Sequence, residues 1–153
     1  MTLKKILALA TILVLSTQFV FANYAFYKKV VNTCKYYRVN VDQKKMALTK
    51  NADGSYHFSI EMESMRNNFE MVMLVGFISV GQAMSHQEAF AKKKSGYTAV
   101  VPSDTEVTVS IPVSRQSTII TAKATAGQIR QLTEGKIDSS GFMRLIKDSI
   151  QTL

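Results

Sequence analysis

The chain has 153 residues, of which 46% are hydrophobic and 20% charged, with a formal net charge of +8 at pH 7 and one cysteine. This length and apolar fraction suffice for a hydrophobic core. A single cysteine excludes an intramolecular disulfide, so the core must stabilise the fold. The basic charge favours an anionic partner, or it forms a solvated surface that keeps the protein soluble.

Residues 1–22 have the three parts of a secretory signal peptide. Lys4 and Lys5 form its positive region, residues 6–14 its apolar run, and Val20-Phe21-Ala22 its cleavage signal. A retained membrane anchor is the alternative, but a bilayer span needs about 20 predominantly apolar residues and this run is shorter. We therefore predict cleavage after Ala22 and a periplasmic or extracellular protein. After cleavage the protein, residues 23–153, has 17 basic and 11 acidic residues and a net charge of +6.

Residues 23–35 predict neither a helix nor a strand. Aromatic and basic residues are adjacent in this segment: Tyr24, Phe26, Tyr27, Lys28 and Lys29. Such a cluster suits peripheral contact with a membrane interface, and packing on the domain is the alternative. Cys34 is either a buried, inert thiol or, in an oxidising compartment, the link of a disulfide-bonded dimer.

A first hairpin is predicted between residues 37 and 63. Tyr37, Val39 and Val41 alternate with polar residues as in a strand, and Asn51-Ala52-Asp53-Gly54 signals a turn. Residues 56–63 form the clearest strand of the sequence, with these apolar residues on one face: Tyr56, Phe58, Ile60 and Met62.

A central buried helix should follow this hairpin. Asn67 and Glu70 have capping-box spacing, and Gly96 marks the end after three lysines, 92–94. Residues 71–80 are apolar nearly all round, so a strand there is the alternative. Two glycines in a helix, Gly76 and Gly81, cost about 2 kcal/mol against alanine. Burial of six large apolar side chains outweighs this at about 1.5–3 kcal/mol each. The glycines would let neighbouring elements approach closely.

A second block of strands and helices is predicted over residues 97–153. Strands should cover 97–101, 107–113 and 118–124, with a turn at Pro102-Ser103-Asp104. Pro112 cannot donate to a ladder, so its strand should lie at an edge or pair on one side only there.

The C-terminal helices carry clear caps. Thr125 and Gln128 form a capping box for a helix that Gly135 ends, and Asp138 or Ser139 caps the last helix. The last helix has an apolar stripe, Phe142, Leu145, Ile146 and Ile150. The turn Gly135-Lys136-Ile137-Asp138 with Phe142 resembles that of SHOCT-type short C-terminal helical hairpins, over about 20 residues, and this resemblance implies no function.

These elements predict an α+β fold in a single domain, residues 36–153. The order of elements along the chain is ββα followed by ββαα. The strands form two hairpins of one antiparallel sheet, with about four to five strands in all, and this sheet packs against the central helix and the C-terminal helices.

Few residues could carry catalysis, since the only histidines are His57 and His86 and no known catalytic motif occurs. A His–carboxylate pair from different segments could act as acid and base, and a small periplasmic hydrolase of this kind is one alternative. We assign no catalytic residue and no cofactor.

Methionine supplies the other alternative, a copper-handling protein, because thioethers and imidazole bind Cu(I). The close pairs are Met62/Met65, Met71/Met73 and Met84/His86. Residues two apart on a helix point apart, so methionine as core filler is favoured and no metal ligand is assigned.

By elimination we predict a non-enzymatic binding or assembly module of the bacterial envelope; the lack of an Asn-x-Ser/Thr sequon agrees with a bacterial source. Its partner would be an envelope protein or an anionic envelope component, and export argues against nucleic acid. A partner strand could add to an edge near Pro112, which Pro112 and Arg115 could instead protect.

Overall fold

The computed structural model describes residues 23–65, 68–113 and 116–153. The predicted leader with its cleavage site, the Asn67 cap and Arg115 lie outside these residues. Helix α1 covers residues 23–36. The next elements are strands β1 (Met46–Lys50) and β2 (Tyr56–Glu63), helix α2 (Phe69–Lys93), strands β3 (Asp104–Val113) and β4 (Gln116–Thr125), helices α3 (Ala126–Thr133) and α4 (Ser139–Ile146), and strand β5 (Gln151–Thr152).

The five strands form one sheet in the order β1-β2-β3-β4-β5. Every neighbouring pair is antiparallel except β2 and β3, which are parallel and are joined by α2 as a crossover helix. The α+β fold is therefore confirmed, with two hairpins and a mostly antiparallel sheet. The parallel pair at its centre was not predicted.

Helix α1 fills the segment that had no predicted structure. Phe26, Val30 and Cys34 lie one helical turn apart and are fully buried. The ring centroids of Phe26 and Phe58 are 5.2 Å apart in an edge-to-face contact, and the Tyr27 hydroxyl accepts a hydrogen bond from the Leu48 amide at 2.9 Å. This helix therefore packs on the β1–β2 hairpin.

Two predicted strands are wrong. Residues 37–45 form a turn, a loop and one 3₁₀ turn, because the turn after α1 has Arg38 in the left-handed conformation, with φ of 61°. Val39 is buried against the core from this loop. Residues 97–101 are also irregular, and the Val100 amide donates to Gln87 Oε1 of α2 rather than to a strand. In both places the apolar residues pack from a loop.

Helix α2 is confirmed, and a strand over residues 71–80 is wrong. Its N-cap residue is Asn68, one residue after the predicted cap, and Asn68 makes no side-chain capping bond. A Cβ at Gly76 would lie 2.9 Å from Met62 Sδ of β2 and 3.0 Å from Val107 Cγ1 of β3. A Cβ at Gly81 would overlap Thr133 of α3. The predicted close approach is therefore confirmed at both glycines.

Several local predictions hold near the C-terminus. Thr125 and Gln128 form the capping box of α3, Gly135 follows with φ of 70°, and Asp138 caps α4 by accepting from the Gly141 amide. Within the α4 stripe, Phe142 and Ile146 are buried, whereas Leu145 is exposed.

Pro112 pairs on one side only, as predicted, although its strand β3 is not an edge. β3 pairs with β2 as far as Ser110, whose carbonyl accepts from the Ser64 amide, and with β4 along its whole length. Since backbone groups alternate along a strand, the ring nitrogen of Pro112 faces the side that β2 leaves open. The β4 ladder therefore loses no hydrogen bond.

Candidate functional site

The positive charge of the protein is concentrated in α1 and the turn after it. Residues 23–38, here called the basic segment, contain four cations and no acidic residue, whereas residues 39–153 contain 13 basic and 11 acidic ones. The four cations are Lys28, Lys29, Lys35 and Arg38. None of them forms an ion pair with a described residue. The amphipathic α1 thus buries its apolar stripe and presents unneutralised cations to solvent.

A groove lies between α1 and α2 and is here called the α1–α2 groove. Its volume is about 410 Å³. Its described lining residues are Lys29, Asn32, Thr33, Tyr36, Tyr37 and Gln82. They supply one cation, two amides, three hydroxyls and two aromatic rings, and no carboxylate. This polar and aromatic surface can donate and accept hydrogen bonds and can attract an anion.

The two tyrosines of the groove form its aromatic end. Their ring centroids are 5.2 Å apart with the ring planes at 89°, an edge-to-face pair. Tyr36 is 82% exposed and Tyr37 43% exposed. The fold therefore leaves much of the Tyr36 ring uncovered, although aromatic rings usually gain free energy by burial. The sequence alone did not reveal this site, because Tyr36 and Gln82 line one groove only when the two helices pack together.

A second groove, of about 660 Å³, lies where β2 ends and α2 begins. Its lining mixes charges of both signs, including Arg38, Lys45, Asp42, Glu61 and Glu63, and it also includes three methionines: Met62, Met65 and Met71. These thioethers do not form a shared site. Met62 is buried with its sulfur against Gly76, on the sheet side of α2, whereas Met71 is 40% and Met65 88% exposed.

The other residues of the copper hypothesis are also separated. Met73 and Met84 are fully buried in the core, whereas His86 is exposed. Within the described residues, no three His, Cys, Asp or Glu side chains are grouped as a metal site. Copper handling stays a prediction without a ligand set.

The open face of the sheet carries polar cross-strand pairs. His57 of β2 and Asp104 of β3 are neighbours in the parallel register, and His57 Nδ1 lies 2.5 Å from Asp104 Oδ2. Asp104 Oδ1 accepts a hydrogen bond from the Ser103 hydroxyl at 3.0 Å. On the same face Lys123 Nζ lies 3.1 Å from Glu106 Oε2. The sequence named no particular carboxylate for His57, and Asp104 belongs to a different segment of the chain.

Glu88 forms an ion pair with Arg130 rather than with His86, which lies two residues away in the sequence. Its carboxylate accepts two hydrogen bonds from the Arg130 guanidinium of α3, at 2.6 and 2.9 Å. Arg130 lowers the pKa of Glu88, and Glu88 raises the pKa of Arg130. The pair therefore connects α2 to α3 and leaves His86 without this acid partner.

Cys34 lies in the core on the inner side of α1. Burial raises the pKa of its thiol, and a hydrogen bond with Ser79 of α2 acts in the opposite direction. The thiol is fully buried, so a disulfide with a second chain requires α1 to open first. The disulfide-linked dimer stays a prediction, and its formation requires the free energy of opening α1.

The sheet edges differ from the predicted edge near Pro112. Within the described residues the edge strands are β1 and the two-residue β5. The outward Leu48 amide of β1 is already bonded to Tyr27 of α1. Addition of a partner strand at β1 would therefore have to displace this contact.

No helix in the described part of the chain has the length and hydropathy required to cross a bilayer. No protein-family model matches the sequence, and comparisons with curated proteins and with solved structures gave no significant match.

Proposed function

We propose that the protein is an exported, non-enzymatic binding module for an anionic component of the bacterial envelope. The observation that supports this most directly is the basic segment. Residues 23–38 hold four cations and no acid, and these account for most of the net charge of +6 outside the leader. Cations that serve solubility alone have no need to gather on one helix.

The electrostatics of the basic segment favour a polyanion. Unpaired cations that lie close together on one segment add their potentials, which raises the local concentration of an anionic ligand and its association rate. Elsewhere in the described chain, Lys45, Lys123, Arg130 and Lys136 each lie within ion-pair distance of a carboxylate. Those four cations are partly neutralised, whereas the four cations of the basic segment have no described acidic partner, so the basic segment keeps its positive charge.

The proposal is tested by retention of the purified protein on immobilised dextran sulfate, eluted with a salt gradient. In the test variant Lys28, Lys29 and Lys35 are replaced by glutamine. The matched control replaces Lys92, Lys93 and Lys94 at the end of α2, which removes the same charge elsewhere. We expect the α1 variant to elute at much lower salt than the control, since the basic segment contains no acid, whereas Lys92 of the control lies close enough to Glu88 to lower the pKa of that carboxyl.

Equal losses in the two variants, or retention of neither wild type nor variant, would contradict the proposal. Circular dichroism confirms that the variants fold. Lys28 and Lys35 are exposed, and Lys29 is half-buried at the groove, so no core contact is lost.

A second candidate, a hydrolase, is favoured by the His57–Asp104 pair. One carboxylate oxygen of Asp104 bonds Nδ1 of His57, and the other accepts a hydrogen bond from the Ser103 hydroxyl. In this arrangement a carboxylate can orient a histidine that acts as a general base. Thr49 is the neighbour of His57 in the register of β1 and β2 and supplies a hydroxyl on the same face. A groove of about 240 Å³ lies on this face and is lined in part by Ser59 and Glu106. These residues lie two positions after His57 and Asp104 on the same strands.

A panel of ester, glycoside and peptide substrates tests the hydrolase. An activity lost in His57→Ala and Asp104→Asn, and kept in His86→Ala, would support it. The absence of turnover across the panel, or activity unchanged in His57→Ala, would count against it.

A further inference from the structure

We propose that the α1–α2 groove is a subsite for an acidic sugar unit of an envelope polysaccharide. This inference rests on the proposed function and names the chemical class of its ligand. The basic segment accounts for attraction to an anion of any kind. The groove beside it also contains an aromatic ring and side-chain amides, and neither is required to attract an anion by charge.

The first of these groups is the exposed ring of Tyr36. The face of an aromatic ring carries negative charge density and attracts positive edges, such as the C–H groups on one face of a sugar ring. Tyr37 holds the Tyr36 ring by an edge-to-face contact at 5.2 Å, so less conformational freedom is lost when a ligand packs on it. An 82% exposed ring placed in this way is a suitable platform for a saccharide.

The second group is the set of amides. Asn32 of α1 and Gln82 of α2 line opposite helices of the groove. Each amide has both donors and acceptors, as does the Thr33 hydroxyl, and this matches sugar hydroxyls, which also donate and accept. A phosphate or sulfate group accepts only, so it could bond the amide N–H groups but not the amide oxygens, which a sugar hydroxyl can also bond. The amides therefore favour a polyhydroxylated ligand over a simple anion.

The third group is Lys29, the one cation of the groove. Its ammonium supplies three donors and a positive charge, which suit the carboxylate of a uronic acid. The groove volume of about 410 Å³ is within the range of small-molecule sites, about 300–1,000 Å³. The described lining residues include no Val, Leu, Ile, Met or Phe, so they form no aliphatic floor for a lipid chain. We therefore assign the groove to a sugar rather than to a lipid.

The experiment is calorimetric titration of the purified protein with an oligogalacturonate and, separately, with linear polyphosphate of matched charge and with phosphatidylglycerol vesicles. We expect tighter binding of the oligogalacturonate than of either alternative. Tyr36→Ala should weaken it about threefold or more, and Lys29→Gln by a similar factor. The matched controls, Tyr24→Ala and Lys28→Gln, lie on the same helix outside the groove and should change the affinity less.

The outcomes separate this inference from the proposed function. Equal or tighter binding of polyphosphate or vesicles would overturn the saccharide subsite and leave the anion-binding proposal in place. Binding of none of the three ligands would overturn both. If Tyr36→Ala and Tyr24→Ala had the same effect, the ligand would not lie in the groove. Tyr36 is mostly exposed, so its removal should not unfold the protein, and circular dichroism checks this.

Discussion

The basic segment and the open face of the sheet use charge in opposite ways. In the basic segment, four cations face solvent and none has a described acidic partner. On the sheet face, cations and acids alternate across strands, with Glu106 beside Lys123 and Asp104 beside His57. Cross-strand pairing neutralises charge locally, whereas the helix accumulates it.

This difference shows that net charge alone is a poor guide to a binding surface. A formal charge of +6 spread evenly would favour solubility and little else. Instead, four cations and no acid fall within residues 23–38, and the structure places them on α1 and in the turn after it. Four predictions test how the basic segment is held in place and how the other charges are balanced.

The largest expected effect comes from Phe26→Ala. The Phe26 side chain anchors α1 against Phe58 and is fully buried, so its truncation should lower the free energy of unfolding by about 3–5 kcal/mol. Urea denaturation measures this loss. Tyr24→Ala, on the exposed side of the same helix, is the control and should change stability by about 0.5 kcal/mol or less. A small effect of Phe26→Ala would mean that α1 is not docked.

Thiol labelling sharpens the description of α1 docking. Cys34 is fully buried and its pKa is raised, so a thiol reagent should modify it on the order of 100-fold more slowly in the native protein than in urea. Phe26→Ala should accelerate the native reaction. Rapid labelling of the wild type would show that α1 opens readily, and it would favour the disulfide-linked dimer.

A smaller effect is expected from Glu88→Gln, which removes the pair with Arg130. Because the pair is about one third exposed, the loss at pH 7 should be about 0.5–1 kcal/mol. The pKa of Glu88 is lowered in the fold, so its contribution is complete above the ordinary value of 4.5 and is lost as the pH falls through the lowered value. Wild type and variant should therefore converge once the pH lies below the lowered pKa, and a difference that stays constant as the pH falls would contradict this.

The smallest stability change is expected from Glu106→Gln. Lys123 is mostly exposed, so the loss should be about 0.5 kcal/mol or less by urea denaturation. The variant leaves Lys123 unpaired and should elute from dextran sulfate at slightly higher salt. A large rise in the elution salt would show that the sheet face binds the polyanion as strongly as the basic segment does. That result would contradict the contrast between these two surfaces.

Sequence patterns predicted the elements whose signals are local. The capping box at Thr125 and Gln128, the Asp138 cap and the long apolar run of α2 each lie within one element, so neighbouring residues determine them. Helix α1 was missed although its buried residues recur every four positions, because aromatic and basic residues obscured that stripe.

The candidate site could not be predicted for a different reason. Asp104 meets His57 only because β2 and β3 are parallel, and Gln82 and Tyr36 line the same groove only because α1 packs beside α2. The residues of each pair are 46 or 47 positions apart, and spacing in the sequence carries no signal for such pairs. The alternation at residues 37–41 misled for the same reason, since Val39 is buried by tertiary packing from a loop.

The parallel pairing of β2 with β3 also has a consequence for the order of folding. Few residues separate β1 from β2 and β3 from β4, whereas the β2–β3 ladder must close the 40 residues from 64 to 103, which include α2. Long loops cost more entropy to close, so we expect both hairpins to form before they join. The fold would then be completed when Gly76 of α2 reaches Met62 and Val107, one from each hairpin. Mutations at this contact should speed unfolding more than they slow folding.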